Sequence, residues 1–359
     1  MKIGILLHPY GEKKPAGLGR AILDMTRALV KEAAHRNDEV LIFAKGSSPS
    51  VPDFLGTNWS FHALGTGVLW REHLARAPQA DGYLFNTPVL PLLWRAKKSV
   101  VIALDFAYLE VTASGILGRV KIWCIKQYHA YSLSRASAVI AISASTKRDV
   151  IRLFGVPESK IRVVHLGFNR ICAIREERMD TPERFFLFVG VMKERKNVLR
   201  IIRAFQHFSR THPDWHLLLA GEAEGEYARM LKETARAGAA SAQIRFLGYR
   251  TDAEIAYLYR HAAAFVYPSI IEGFGFPVLE AMDCGVPVIT SRSSSLPEVA
   301  GDAAILVDPG SREEISRAME RIVSDPALGR DLILRGHEQV KNFSWEKTAR
   351  EIMDIFYEI

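Results

Sequence analysis

The chain has 359 residues, of which 48% are hydrophobic and 24% are charged, and its formal net charge is +7 at pH 7. This length and composition predict a globular protein of two ordinary domains. No apolar run approaches the ~18 residues that a membrane-spanning helix needs, and the first residues lead directly into a short apolar strand instead of a signal peptide. These features argue against a membrane-spanning protein and favour a cytoplasmic one.

The positive charge is unevenly distributed, because residues 1–180 carry the excess of Lys and Arg and the remainder is slightly acidic. No basic tract gathers that excess, so a nucleic-acid partner is not expected, whereas an anionic membrane surface or a phosphorylated acceptor fits the pattern. The three cysteines, Cys124, Cys172 and Cys284, are far apart and odd in number. They therefore favour a reducing compartment over a disulfide framework or a zinc site.

Strands alternate with helices in the first half of the chain. Apolar runs and helical periodicity predict strands over residues 3–7, 39–44, 82–85, 100–104, 138–143 and 161–164, and helices over residues 21–34 and 116–133. Such alternation implies a parallel sheet covered on both faces, with ligands at the carboxyl ends of its strands. The candidate residues there are Gly17 and Gly19, in a Gly- and Lys-rich loop after the first strand, and Asp105. A mobile surface loop is the alternative for the two glycines.

A polar, charged segment without periodicity, residues 170–183, is predicted to link two domains, because a second α/β unit begins with the apolar run 185–190. We expect an N-terminal domain over residues 1–176 and a C-terminal domain over residues 177–341. Residues 342–359 form a last helix, with Ser344 as its N-cap, that packs back towards the N-terminal domain.

The most informative stretch is residues 268–309, which follow a predicted strand over 262–267. A turn containing Gly273, Phe274 and Gly275 leads into a predicted helix over 278–284, and a glycine-bearing turn at a helix start favours an anion. Glu280 lies among apolar neighbours, where a carboxylate needs partners such as the two hydroxyls of a ribose. Glu272, in the turn, could reach the sugar or phosphate end of the same ligand. The alternative is that Glu280 is a structural buried acid and Glu272 a solvated loop residue.

Two cations follow the strand predicted at 185–190. Arg195 and Lys196 stand between that strand and a helix, where they could neutralise a diphosphate leaving group. Taken alone, a charged loop before a helix is usually only solvated, but the acids at 272 and 280 favour the phosphate role.

These residues carry a resemblance to a known family. The stretch E-G-F-G-F-P-V-L-E-A-M, followed by G-V-P-V-I and L-P-E-V-A-G-D-A-A, resembles the nucleotide-sugar site of the family-4 retaining glycosyltransferases. The resemblance implies the GT-B fold, in which two doubly wound Rossmann-like domains face a central cleft. It places Glu280 on the ribose, Arg195 and Lys196 on the diphosphate, and Glu272 near the sugar.

The resemblance assigns the remaining candidates as well. The amides of Gly273, Phe274 and Gly275 would lie near the sugar, and Gly248 and Tyr249 would lie near the nucleobase. Gly17, Gly19 and Asp105 would hold the acceptor in the first domain. Many relatives have a histidine before that aspartate, and this chain has Leu104 instead.

The implied reaction is transfer of a hexose, with retention, onto a glycan or a lipid-linked saccharide. The combination of E-R-K-N-V-L with E-G-F-G-F-P resembles bacterial mannosyltransferases of polysaccharide assembly, which favours GDP-mannose over a UDP-hexose. A nucleotide-sugar epimerase of the same fold and an inactive sugar-nucleotide binder remain as alternatives. No Asp-x-Asp can be placed at the site, so no essential metal and no further cofactor are expected.

A last expectation concerns the predicted helix over residues 116–131. Its Arg119, Lys121, Lys126 and Trp123 could face anionic lipid, which would bring the protein to the inner face of the plasma membrane. The alternative is a domain-packing helix with a solvated basic side.

Overall fold

The computed structural model describes residues 1–8, 17–47, 49–109 and 115–359. The chain divides into two compact units, Met1–Gly167 together with Phe343–Ile359, and Phe168–Asn342. The division falls earlier in the chain than the boundary expected between residues 176 and 177. The segment expected to be a linker therefore lies within the second unit.

The first unit contains a seven-stranded parallel sheet in the order β3-β2-β1-β4-β5-β6-β7. The strands are β1 (Lys2–Leu7), β2 (Glu39–Ala44), β3 (Trp59–Ala63), β4 (Gly82–Phe85), β5 (Ser99–Ala103), β6 (Ala138–Ala141) and β7 (Ile161–Val163). The helices are α1 (Gly17–His35), α2 (Gly115–Arg135) and α3 (Ala144–Phe154). After their first residues the inner strands are mostly apolar and buried, as expected for a sheet that is covered on both faces.

The second unit contains a six-stranded parallel sheet in the order β10-β9-β8-β11-β12-β13. The strands are β8 (Phe185–Val189), β9 (His216–Ala220), β10 (Ile244–Gly248), β11 (Ala264–Tyr267), β12 (Val288–Ser291) and β13 (Ala304–Val307). The helices are α4 (Val198–Phe208), α5 (Gly225–Ala237), α6 (Asp252–His261), α7 (Phe276–Asp283), α8 (Leu296–Ala300), α9 (Arg312–Ser324) and α10 (Pro326–Gln339).

Each sheet reverses its strand order once, between β1 and β4 in the first unit and between β8 and β11 in the second. The loops after the two strands at such a reversal diverge to opposite faces of the sheet and leave a crevice at the carboxyl edge. Each unit therefore offers one such edge position for a ligand.

The last helix, α11 (Trp345–Glu358), belongs to the first unit. Ser344 is its N-cap, as predicted, because the Ser344 hydroxyl accepts a hydrogen bond of 3.1 Å from the amide of Lys347. Near the end of the helix, the Tyr357 hydroxyl donates to Asp38 at 2.6 Å, and Asp354 pairs with Arg36 at 2.8 Å.

Two expectations from the sequence are wrong. Gly17 and Gly19 are the first and third residues of α1 instead of members of the preceding loop, and residues 9–16 lie outside the described part. Cys172 and Cys284 form a disulfide bond, with Cα atoms 5.4 Å apart, where no disulfide was expected. Widely spaced cysteines gave no indication of this bond, because the fold alone brings their backbones together.

None of the helices in the described ranges is both long enough and apolar enough to cross a bilayer.

Candidate active site

Two loops meet where the strand order of the second sheet reverses. β8 and β11 pair directly, and after β8 the chain forms a 3-10 helix, Glu194–Lys196, that carries two of the predicted cations. The loop after β11 carries Glu272. The amide of Ile270 donates to the carbonyl of Arg195 at 2.8 Å, which joins the two loops through their backbones.

Asn197 fixes the loop that carries the cations. It is buried and has a positive φ of 62°, which asparagine tolerates better than most residues. Its side-chain amide donates to the carbonyl of Pro268 at 3.0 Å and to the carbonyl of Pro309 at 2.7 Å. The Asn197 side chain thus connects three loops at the carboxyl edge of the sheet, which are its own loop after β8, the loop after β11 and the loop after β13. No separate role was predicted for Asn197 from the sequence.

The carboxylate of Glu272 lies at the centre of the site and is only 8% exposed. Its Oε1 atom accepts hydrogen bonds from Lys196 Nζ at 2.5 Å, from Ser269 Oγ at 2.6 Å and from the Tyr267 hydroxyl at 3.0 Å. Its Oε2 atom pairs with Arg195 Nη1 at 2.9 Å. This buried acid is therefore fully compensated, with two cations against one carboxylate.

Burial alone would raise the pKa of Glu272, but the charges of Lys196 and Arg195 outweigh that effect and hold the pKa below its ordinary value. Glu272 is thus ionised at neutral pH. One carboxylate thus holds two cations at this edge of the sheet.

Tyr267, the last residue of β11, connects the members of this cluster. Its buried hydroxyl donates to Glu272 and contacts Lys196 Nζ, and that ammonium also lies 4.9 Å from the centre of the tyrosine ring. Burial and the charge of Glu272 raise the pKa of Tyr267 well above its ordinary value. The phenol therefore keeps its proton, and its O–H group donates a hydrogen bond to the ionised Glu272.

The turn that follows Glu272 is held from the next loop of the sheet. The Ser295 hydroxyl donates to the carbonyls of Glu272 and Phe274, at 2.9 and 2.5 Å. Gly275 then adopts a φ of 133°, which side chains rarely permit, and caps the start of α7. The residues predicted at a helix start, Gly273 to Gly275, do precede a helix, which begins at Phe276 rather than at residue 278.

The role of Ser295 was not predicted from the sequence. The signal that could have indicated it is the run Ser293-Ser294-Ser295 shortly after a strand, since hydroxyls at that edge can bind backbone groups of the neighbouring loop.

Glu280 lies one turn into α7, between buried neighbours, but its own side chain is only half-buried. Its Oε2 atom accepts a hydrogen bond of 3.3 Å from the hydroxyl of the fully buried Tyr259. Burial and the charge of Glu280 raise the pKa of that tyrosine well above its ordinary value. The carboxylate is therefore oriented by the protein itself, and burial alone does not require a ligand.

The remaining candidates belong to other elements. Tyr249 directly follows β10, at the same edge of the same sheet, and is 61% exposed. Asp105 lies in the first unit, exposed, and accepts a hydrogen bond of 3.3 Å from the amide of Ala107. Gly17 and Gly19, in α1, also belong to the first unit.

A search of the described ranges finds no group of three or more His, Cys, Asp or Glu side chains placed to hold a metal ion. The expectation of a metal-independent reaction stays a prediction.

Comparison with known families and proteins gives a consistent result. Residues 172–339 match the family described as Glycosyl transferases group 1, and residues 15–170 match Glycosyltransferase Family 4. The O-antigen chain mannosyltransferase B of Escherichia coli is 31% identical to this chain, and the alignment covers 95% of each protein.

Two solved structures share the fold. Sucrose-phosphate synthase from Thermosynechococcus elongatus superposes with a TM-score of 0.76 at 19% identity, covering 99% of this chain and 98% of that one. WaaG, a glycosyltransferase involved in lipopolysaccharide biosynthesis, superposes with a TM-score of 0.71 at 18% identity, covering 99% of each. The two parallel-sheet units thus have the GT-B fold, and the chain belongs to glycosyltransferase family 4.

Proposed function

We propose that this glycosyltransferase moves a mannosyl residue from GDP-mannose, with retention at the anomeric carbon, onto a glycan or a lipid-linked saccharide. The observation that carries the proposal is the cluster of Glu272 with Arg195 and Lys196. It lies where the strand order reverses, close to the start of α7, and it brings two cations together on one carboxylate.

The role of the cluster is to stabilise the leaving group. Negative charge builds on the diphosphate oxygens as the bond to the sugar breaks, and cations fixed in advance stabilise that charge without reorganisation. Arg195 and Lys196 supply the positive charge, and Glu272 holds both of them in place near the sugar. The turn Gly273–Gly275 adds helix-start amides to the same end of the ligand.

Glu280 is assigned to the ribose, because a carboxylate accepts hydrogen bonds from two vicinal hydroxyls. A hydrogen bond from the Tyr259 hydroxyl orients this carboxylate. Tyr249, at the end of β10, is assigned to the nucleobase. Gly17, Gly19 and Asp105, in the first unit, are assigned to the acceptor.

Mannose as the transferred sugar is supported by the resemblance to a bacterial O-antigen mannosyltransferase over nearly the whole chain. A UDP-hexose is the alternative donor. No divalent ion and no further cofactor enter the proposed reaction, since fixed cations already face the diphosphate.

A thermal-shift panel of GDP-mannose, UDP-hexoses and ADP-glucose tests the donor, because a ligand that binds only the folded state raises the unfolding temperature. We expect the largest shift with GDP-mannose and a much smaller one in Lys196→Ala. Product analysis then separates three activities. A transferase forms a new glycoside, an epimerase returns a changed nucleotide sugar without acceptor, and an inactive binder returns its donor unchanged. Either of the last two results would refute the proposed reaction.

We also propose that the first half of α2 binds an anionic membrane surface. Ile116, Leu117 and Trp123 are 81%, 86% and 62% exposed. The 21 residues of α2 include Arg119, Lys121 and Lys126 but no acid. Exposed apolar side chains among cations match a bilayer with anionic headgroups.

Sedimentation with vesicles of phosphatidylglycerol and phosphatidylcholine tests this surface. We expect binding that weakens as salt rises, through screening, and that falls strongly in Leu117→Ser. Leu334→Ser, which changes an exposed leucine of the second unit, is the matched control. Equal binding of both variants, or no binding at low salt, would exclude α2 as the lipid contact.

A further inference from the structure

β12 and the loop after it hold the loop that carries Glu272 through a row of hydroxyl groups. The Thr290 hydroxyl donates to the carbonyl of Tyr267 at 2.8 Å, and the Ser291 hydroxyl donates to the carbonyl of Ser269 at 2.6 Å. Both hydroxyl-bearing residues are fully buried, and their strand pairs directly with β11. The row thus begins inside the sheet and extends towards its carboxyl edge.

Ser294 continues this row beyond the end of the strand. Its Oγ atom accepts a hydrogen bond of 3.1 Å from the amide of Glu272 and donates another to the carbonyl of the same residue. A hydroxyl has one proton and two lone pairs, so both bonds can form at the same time. One side chain therefore holds both backbone polar groups of the acid that pairs with Arg195 and Lys196.

The backbone of Ser294 lies in the left-handed region, with a φ of 59°. Within the described ranges the other non-glycine residues with positive φ are Asn37 and Asn197, and asparagine tolerates this region better than serine does. Glycine would adopt the same φ without a steric cost. Residues strained in this way persist only where the surrounding contacts determine them, and they are concentrated at functional sites.

The loop is anchored on both sides of Ser294. Before it, the amide of Arg292 donates to the carbonyl of Val307 at 2.9 Å, which connects the loop to β13. After it, the hydroxyl of the fully buried Ser295 donates to the carbonyl of Phe274 at 2.5 Å. The strained residue therefore belongs to a fixed loop, and its hydroxyl is held against the backbone of Glu272.

A fixed backbone at Glu272 also fixes the carboxylate of that residue. The carboxylate is buried and pairs with Lys196 at 2.5 Å and with Arg195 at 2.9 Å. A displacement of the backbone would therefore move the acid relative to both cations. Stabilisation by charges fixed in advance is sensitive to such changes, since a misplacement of about 1 Å can lower a rate about a hundredfold.

We propose that Ser294 is a positioning residue for sugar transfer, which acts through the backbone of Glu272 on the two cations of the cluster. The proposal rests on the role proposed above for Glu272, Arg195 and Lys196 at the donor diphosphate. It adds the loop after β12 to the two loops that already supply charged groups to the reaction.

Two substitutions separate the hydroxyl of Ser294 from its backbone strain. Ser294→Gly removes both, whereas Ser294→Ala removes the hydroxyl and keeps a side chain at positive φ. Initial rates with GDP-mannose and a mannose-terminated oligosaccharide should give a kcat about tenfold below wild type in both variants, with the donor KM little changed. Ser294→Ala should unfold at a lower temperature than Ser294→Gly, since only glycine relieves the strain.

Hydrogen–deuterium exchange of the peptide that contains Glu272 reports on the contact without any turnover. The amide of Glu272 is bonded to Ser294 Oγ in the wild type, so it should exchange faster in both variants. Ser293→Gly is the matched control, because it places a glycine in the same loop and removes a hydroxyl that has no partner among the described residues. It should match the wild type in kcat and in exchange at Glu272.

A wild-type kcat in both Ser294 variants, or unchanged exchange at Glu272, would overturn the proposal. A kcat that follows the unfolding temperature, near wild type in Ser294→Gly and low in Ser294→Ala, would also overturn it, because Ser294 would then serve stability only. Lys196→Ala tests the donor role separately. Normal turnover in Lys196→Ala refutes the proposed function, whereas a low kcat there with normal Ser294 variants refutes only the role of Ser294.

Discussion

Lys196 Nζ lies 2.5 Å from Glu272 Oε1, although 76 residues separate them in the chain. The pairing follows from topology, because these residues are carried by the loops after β8 and β11, which are neighbours in the sheet. The cations of the site are therefore positioned before any donor binds. Such preorganisation is what electrostatic stabilisation of a leaving group requires.

Replacing Lys196 by alanine is expected to lower kcat by at least about a hundredfold. It removes one of the two cations assigned to the diphosphate, and the loss of a preorganised charge-stabilising group typically costs that much. Initial rates of sugar transfer measure the effect. Lys193→Ala changes an exposed lysine of the same loop and should leave kcat unaltered. Near-normal turnover in Lys196→Ala would remove this lysine from the reaction.

The sequence predicted the inner strands of the first sheet well, since residues buried on both faces of a sheet form largely apolar runs. It missed β3, which lies at an edge of that sheet. β3 has the sequence Trp-Ser-Phe-His-Ala and is only half-buried, so neither an apolar run nor a clear alternation marks it. An edge strand is defined by its pairing partner, and that information is not local.

The charged residues of the site were predictable from the sequence, but the contacts that position them were not. Glu272 was singled out by the glycine-bearing turn before a helix, and Arg195 and Lys196 by their place between a strand and a helix. The family resemblance then gave all three their roles at the donor. Their mutual pairing, and the supporting contacts of Tyr267, Asn197 and Ser295, depend on which strands are neighbours. Tyr267 reads in the sequence as one more apolar strand residue, so the role of its hydroxyl was not visible.

Tyr267→Phe is expected to lower kcat about tenfold while changing the donor KM little. The ring and its packing remain, but the hydroxyl that joins Lys196 to Glu272 is lost, and a hydrogen bond to a charged group contributes about 1.5–3 kcal/mol. Steady-state kinetics separate the two parameters. Tyr257→Phe is the control, because that ring stacks on His261 and its hydroxyl has no partner among the described residues. A kcat equal to that of the control would show that the Tyr267 hydroxyl does not position the cations.

Glu272→Gln should destabilise the protein at pH 7 by about 3 kcal/mol, since removing one partner of a buried pair leaves its cations uncompensated. It should also change how stability depends on pH. The pKa of Glu272 is lowered from 4.5 on folding, so its ionised form stabilises the native state above pH 4.5 and this contribution is lost as pH falls through the lower folded pKa.

Chemical denaturation between pH 7 and pH 3 tests this linkage. The difference in unfolding free energy between wild type and Glu272→Gln should shrink as pH falls below 4.5. Glu194→Gln, an exposed acid of the neighbouring loop, should follow the wild type throughout. A difference that stays constant with pH would mean that ionised Glu272 contributes nothing to stability.

The Cys172–Cys284 bond joins the beginning of the second unit to the end of α7, the helix that carries Glu280. The two cysteines are 112 residues apart in sequence, so the bond restricts a long loop of the unfolded chain. Its loss should therefore lower the unfolding free energy by about 2–5 kcal/mol. Thermal unfolding of wild type with and without a phosphine reductant, compared with Cys172→Ser, measures the effect. We expect reduced wild type and Cys172→Ser to unfold at the same lower temperature, while Cys124→Ser, which removes an exposed free thiol, matches oxidised wild type. Three titratable thiols in the unreduced, denatured protein would show that the bond does not form.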